Sequence, residues 1–194
     1  MKKILFILSI ALIQACAFTD ATLDVRHDPA KEFKGPISDI DAIKFALTDL
    51  SDNRDDKVRI GWKKNGYGHN TADIYTTETV GKLVSDGITA GLTKNNHEVS
   101  ESGDIRIEGS VNRFWFEMDP NMWTVEFTGD IQCTLNFIDT KSNKSIYTSN
   151  YSGNYSKKTG GGLEKTWTEV MSQALDKLIE DVIFDEELAE ALEE

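Results

Sequence analysis

Few side chains in this sequence have the type and spacing that chemistry requires. The histidines are isolated, so none of them completes a metal site with its neighbours: His27, His69 and His97. No Gly-x-Ser-x-Gly, Ser-x-x-Lys or His-Glu-x-x-His motif occurs. Cys133 alternates in phase with Ile131 and Leu135, which indicates a small buried hydrophobe rather than a nucleophile. We therefore expect no enzymatic activity, no metal and no cofactor.

The first sixteen residues carry the sharpest motif of the chain. A basic start precedes an apolar run from Ile4 to Ile13, and Ala15 stands directly before Cys16. The run is too short to span a bilayer comfortably, so residues 1–15 are predicted to be a cleavable export signal. The arrangement resembles the lipobox of bacterial lipoproteins. That resemblance implies a thioether-linked diacylglycerol on Cys16, cleavage before it and acylation of the new amino terminus, which together anchor firmly.

Size and charge limit the remaining possibilities. Removing fifteen residues from 194 leaves enough chain for one compact domain, and the net charge of −12 becomes −14 once Lys2 and Lys3 are lost. Nucleic acid and anionic headgroups repel such a chain, so we expect neither as a partner. Hydrophobic content of 39% with nine Phe and four Trp indicates a globular protein. With lipid on Cys16, Cys133 has no partner for a disulfide.

A lipid-anchored tether is predicted over residues 16–37, followed by one α+β domain over residues 38–194. The tether sequence mixes charges with Pro29, Gly35 and Pro36 and shows little periodicity. About twenty extended residues reach on the order of 60 Å, which gives the domain room to work away from its anchor.

The periodicity of the domain predicts seven elements. Strands are expected near residues 43–47, 58–62, 105–116, 125–137 and 145–155, and helices near 80–92 and 163–182. Hairpins dominate, so we expect an α+β fold: an antiparallel β-sheet of about five strands with two α-helices packed on one face, in the order ββαβββα.

Four local features refine this expectation. The apolar phase flips before Phe114, which predicts a β-bulge near Asn112–Arg113. Gly87 and Gly91 share the apolar face of the first helix and suggest a close approach to the sheet. Asn95–Asn96 is a left-handed helix stop. The acidic carboxyl-terminal stretch either folds back through Leu188 and Leu192, which we favour, or serves as a handle for a partner.

The candidate binding site is an aromatic cluster at the hairpin after the third predicted strand. Its residues are Phe114, Trp115, Phe116, Met122 and Trp123. Phe114, Trp115 and Phe116 put aromatic rings on both faces of one strand, so one face meets the helices and the other needs a cover. Either an exposed apolar patch docks a protein or an acyl chain, or the tether or the KNGYG loop covers Trp115, which we favour because large exposed patches are rare.

The layout of the chain resembles a known family. The resemblance rests on the lipobox, the turn from Asp49 to Arg54, the KNGYG loop, the strand DIRIEGSVNRFWFE and the closing helix that runs to DEELAEAL. Together these resemble the YajG-like family of uncharacterised Gram-negative lipoproteins and, more distantly, the auxiliary lipoproteins of envelope ABC-type lipid transport. The resemblance implies an outer-membrane lipoprotein facing the periplasm, without assigned activity, and carries over Cys16. In such families an aspartate directly after the lipidated cysteine retains the protein at the inner membrane. This chain has Ala17 at that position, which favours transport to the outer membrane.

Three functions remain open at this point. The first is a non-catalytic, lipid-anchored binding or adaptor module that contacts an envelope protein or a lipid through the hairpin tip. The second is a lipid-binding auxiliary component of an envelope transport system, with an apolar cleft between sheet and helices. The third, a glycan hydrolase, requires acidic side chains or a histidine that converge in a cleft.

Overall fold

Within residues 18–193 the protein forms a mixed sheet of nine strands and three α-helices. The structure is a computed structural model that describes residues 18–193, so the predicted signal peptide 1–15 and Cys16 lie outside the described residues. The strands are β1 (Ala21–Leu23), β2 (Lys44–Leu47), β3 (Ser51–Asp52), β4 (Gly61–Lys64), β5 (Asn70–Thr76), β6 (Glu98–Ser100), β7 (Ile105–Pro120), β8 (Val125–Asp139) and β9 (Lys144–Thr159). The helices are α1 (Val80–Lys94), α2 (Glu164–Ile183) and α3 (Glu186–Glu193), and a 3-10 turn spans Pro36–Ser38.

The predicted five-stranded antiparallel sheet with the order ββαβββα is wrong. Only β7, β8 and β9 form the expected antiparallel meander. Along the other edge of β7, the short strands β2, β3 and β4 each pair with it in parallel, and β1 pairs in parallel with β5. Short strands of two to seven residues carry too few side chains to show a period, and their partners are distant in the sequence.

The β-bulge predicted in the longest hairpin is confirmed. The register between β7 and β8 shifts between Val111 and Arg113. The extra residue returns the following apolar side chains to the inner face, so Val111, Phe114 and Phe116 are all buried.

Glycines set the distance between layers on the helix-covered face. A Cβ on Gly153 of β9 would lie 2.0 Å from the carbonyl oxygen of Ala174, so α2 rests directly on the strand. On α1, a Cβ at Gly87 would lie 2.6 Å from Ile179 Cδ1, and one at Gly91 2.7 Å from Ile179 Cγ2. The expectation that this glycine face approaches the sheet is therefore corrected: it packs α1 against α2.

Residues 24–37, which we call the strap, belong to the segment predicted as a tether. In the structure they pack across the two long helices, α1 and α2. The anchor point is Asp176 of α2, whose side chain is almost fully buried. His27 Nδ1 lies 2.7 Å from Asp176 Oδ1, Lys31 Nζ pairs with Oδ2 at 2.9 Å, and the Asp28 amide donates to Oδ1 at 3.1 Å. Burial alone would raise the pKa of Asp176, but these hydrogen bonds outweigh it and hold the pKa below its ordinary value.

Both ends of the strap are also held. Before it, β1 continues the sheet beside β5. At its carboxyl end, Ile37 is fully buried and its carbonyl oxygen lies 2.7 Å from His97 Nε2. The packed part of the chain thus includes residues before position 38, because backbone and side chains of the strap find partners on the helices.

The acidic carboxyl-terminal stretch folds back as α3, which confirms the favoured alternative. Leu188 is fully buried, and Leu192 packs on the core. The Tyr151 hydroxyl of β9 donates to Asp185 Oδ2 at 2.7 Å, just before α3 begins.

Candidate functional site

The five residues predicted as one aromatic site occupy three different settings. Phe114 and Phe116 are buried beneath the helices. Trp115 lies on the opposite face of β7, the open face, and is half-buried. Met122 and Trp123 sit in the turn between β7 and β8 and are more than four-fifths exposed. The structure therefore does not bring the five together into one patch.

A second tryptophan partly covers Trp115. Trp62 of β4 meets it edge to face, with ring centroids 4.8 Å apart. The predicted cover was the tether or the KNGYG loop; the covering residue instead belongs to the strand that leads into that loop. Such aromatic pairs add stability beyond their buried area, and they keep Trp115 in a fixed orientation.

Glu117 and Lys64 form an ion pair beside the indole N–H of Trp115. The Trp115 indole N–H donates to Glu117 Oε2 at 3.0 Å, and Lys64 bridges to the other oxygen of the same carboxylate. Burial alone would raise the pKa of Glu117, but the hydrogen bonds from Lys64 and Trp115 hold it below its ordinary value. Glu117 is thus a fixed negative charge beside the indole.

Further charged pairs flank the tryptophans along the open face. The guanidinium of Arg59 lies 5.5 Å from the Trp62 ring centroid and pairs with Asp73 at 2.6 Å. Arg113, on the other side of Trp115, pairs with Asp130 of β8. The two tryptophans therefore lie among ion pairs between basic and acidic side chains that belong to several neighbouring strands.

Two shallow grooves border Trp115. One has a volume of about 330 Å³ and runs between Arg113, Glu117 and Asn154 of β9. The other measures about 180 Å³ and is lined in part by Arg54 and Asp55. Half-exposed tryptophans with arginine and carboxylate neighbours can bind a peptide or protein surface by burial, stacking and charge-assisted hydrogen bonds.

Sequence reasoning missed Trp62 and Arg59. The pattern placed Trp62 in one strand with Val58 and Ile60, which assigned Trp62 to the same face as buried Ile60. In the structure β4 begins only at Gly61, so Trp62 shares the open face with Lys64. The adjacent residues Lys63 and Lys64 give no alternation that could have assigned the face of Trp62. Only the structure shows that Lys63 is buried, with its ammonium 5.4 Å from the centroid of the Trp167 ring.

The interior offers neither a cleft at this position nor a reactive thiol. Phe116, Phe127 and Trp167 fill the layer between sheet and α2, with ring centroids 5.8 to 6.3 Å apart. Cys133 is fully buried, as predicted, and burial together with the charge of Asp181 raises the pKa of its thiol to about 12. Within residues 18–193 no three potential metal-ligating side chains form a group.

Comparison with known proteins identifies the class of protein. A family model, Lipoprotein_16, described as an uncharacterized lipoprotein, matches residues 44–193. Protein XCC0632 from Xanthomonas campestris, of the family DUF330, has a similar fold, with a TM-score of 0.59 over 90% of this chain and 97% of that one, at 10% identity. A lipoprotein from Caulobacter crescentus is more weakly similar, with a TM-score of 0.43 and 11% identity over 73% of this chain and 89% of that one.

No curated protein matches the sequence significantly. In the part of the chain that the structure describes, no helix has the length and apolar character needed to cross a bilayer.

Proposed function

Because the chain belongs to the Lipoprotein_16 family of uncharacterised lipoproteins, we propose that it is a non-catalytic, lipid-anchored adaptor of the cell envelope. In this proposal, lipid on Cys16 holds the protein at the outer membrane, facing the periplasm, and the open face of the sheet binds an envelope protein. The family match supports the lipoprotein class, and Ala15–Cys16 at the end of an apolar run supports the site of the anchor.

The observation that carries the proposal is the Trp62–Trp115 pair on the sheet face opposite the helices. A tryptophan held half-buried between grooves costs little conformational entropy when it contacts a partner. Tryptophan and arginine are also the residues most enriched among those that dominate binding energy in interfaces. Arg59 and Arg113 stand on either side of the pair.

A lipid-binding auxiliary role in envelope transport receives less support. It requires space for acyl chains between sheet and helices, and Phe116, Phe127 and Trp167 occupy that layer. Native mass spectrometry of the protein exported to the periplasm and purified without detergent tests this alternative: an added mass equal to an envelope lipid would favour it.

The adaptor proposal is tested by photo-crosslinking in intact cells. A photoreactive phenylalanine analogue replaces exposed Asn154, which lines the groove beside Trp115. The matched control carries the analogue at Glu190 of α3, which is equally exposed but distant from the open face. We expect one adduct of defined mass from position 154 and none from position 190.

The specificity of that adduct is checked with Trp115→Ala in the Asn154-labelled chain. Loss of the adduct, with thermal unfolding still cooperative, supports recognition through the tryptophan. An adduct that persists without Trp115, or that forms equally from position 190, would contradict the proposal.

A further inference from the structure

Three loops meet at one end of the molecule. Because β4 runs parallel to β7, with Gly61 opposite Phe116, the loops that follow them, 65–69 and 121–124, lie at the same end. Val125 pairs with Thr159, which brings loop 160–163 to this end as well. Lys63 and Glu164, 3.2 Å apart, join the first and third loops at their bases. We call this the loop end.

Exposed apolar side chains are concentrated at the loop end. Of the seven large hydrophobic side chains exposed within residues 18–193, four occupy these loops: Tyr67, Met122, Trp123 and Leu163. A fifth, Phe18, lies in the amino-terminal segment that precedes β1. These five are 69% to 91% exposed, although they come from four separate parts of the chain. If these were unrelated single hydrophobic residues on the surface, they would be distributed over the whole molecule and not concentrated at one end.

The amino-terminal segment enters at the same end. β1 runs parallel to β5, which begins after loop 65–69, and the Asp73 amide donates to Asp20 just before β1. Residues that precede Ala21 therefore lie toward the loop end. Only Ala17 separates Phe18 from Cys16, and two residues span at most about 7 Å. A lipid on Cys16 thus brings the bilayer surface directly to the loop end.

We infer that the loop end is a membrane-contacting surface, whose side chains enter the interfacial layer of the same phospholipid bilayer that holds the anchor. Tryptophan and tyrosine are the residues enriched at that layer, since their rings are apolar and their N–H or O–H groups reach water. The inference rests on the proposed lipidation of Cys16. It adds a second attachment that fixes the orientation of the domain, with the open face of the sheet standing along the membrane normal.

The charge distribution is compatible with this orientation. The acidic helix α3 lies by Tyr147, near the start of β9, whereas the loop end follows Thr159. Twelve residues of strand separate them by about 40 Å. At physiological salt the Debye length is about 8 Å, so the acids of α3 are screened from the bilayer. Lys158 and Lys165 are exposed at the loop end, where their ammonium groups can pair with the phosphate groups of the lipids.

Fluorescence quenching tests the contact. Trp123 is the most exposed of the four tryptophans, whereas Trp62 and Trp115 are half-buried and Trp167 is buried. The full chain, purified from membranes, is placed in phosphatidylethanolamine–phosphatidylglycerol vesicles whose acyl chains are either brominated or not. We expect bromine-dependent quenching that Trp123→Phe largely removes. Trp115→Phe, the matched control, should retain it.

The possible outcomes distinguish contact of the loop end with the bilayer from lipidation of Cys16. Intact mass shows whether Cys16 carries lipid. Vesicle-bound, lipidated protein without bromine-dependent quenching overturns the inference and leaves the anchor standing. If the chain carries no lipid, quenching of Trp123 in the same vesicles still supports the loop end while the anchor fails. Unlipidated protein without quenching overturns both.

Discussion

Adjacent residues of β7 have opposite roles on the two faces of one sheet. Phe116 points under the helices, stacks on Phe127 with centroids 5.9 Å apart and is fully buried. Trp115 points the other way and meets one ring from β4 and one carboxylate. The difference shows that an aromatic run in a strand is not one surface: the alternation of side chains divides it between a core and a site available for binding.

The largest expected effect is on the helix-covered face. Phe116→Ala removes a fully buried ring from a packed aromatic layer, so we expect the free energy of unfolding to fall by about 3–5 kcal/mol. Urea denaturation followed by far-ultraviolet circular dichroism measures the change. A loss below about 1 kcal/mol would show that this face is not the core.

The second effect concerns the strap on the same side. Asp176→Ala removes the buried acceptor of His27 and of the Asp28 amide, and one of the two acceptors of Lys31, so we expect a loss of about 2–4 kcal/mol at neutral pH. The control is Glu180→Gln on the same helix, whose partner Lys177 is exposed; this change should cost less than about 1 kcal/mol.

The same variant gives a pH dependence. Because the folded-state pKa of Asp176 is lowered, its stabilising contribution is complete above the unfolded-state pKa of about 4. Below that value the unfolded chain binds the proton first, so the contribution declines as pH falls toward the folded-state pKa. The stability difference between the native protein and Asp176→Ala should therefore be constant near neutrality and shrink below about pH 4. A difference that grows in acid would contradict the assignment.

A smaller loss is expected on the open face. Trp115→Ala removes the contact with Trp62 and the hydrogen bond to Glu117, but the ring is only partly buried, so we expect the free energy of unfolding to fall by about 1–2 kcal/mol. Trp115→Phe, which keeps a ring against Trp62, should lose less. Thermal unfolding of both variants checks the order, and a loss equal to that of Phe116→Ala would remove the contrast between the two faces.

The smallest effect belongs to the loop end. Trp123→Ala changes an exposed side chain in a turn, so its free energy of unfolding should stay within about 0.5 kcal/mol of the native value. Urea denaturation in the absence of vesicles measures this. A clear loss would mean that Trp123 stabilises the fold rather than serving contact with the bilayer.

Long periodic segments were predictable, and so was part of the site. α1, α2 and the three long strands, together with the bulge at Asn112–Arg113, agree with the alternation or the helical spacing of their own residues. The same reasoning identified Trp115 as a site residue, but it predicted that the other site residues would come from the same hairpin. Its actual neighbour, Trp62, comes from a four-residue strand whose phase could not be determined from so few side chains.

The sequence by itself determined the features that depend on local order along the chain: the apolar run before Cys16, the left-handed turn at Asn96 and the opposite orientation of Trp115 and Phe116. Tertiary structure alone decided the mixed sheet, the packing of the strap on Asp176 and the meeting of four distant apolar segments at the loop end. The physical reason is that parallel pairing and helix contacts join residues far apart in sequence. Their free energies depend on which surfaces meet, and no local period encodes that choice.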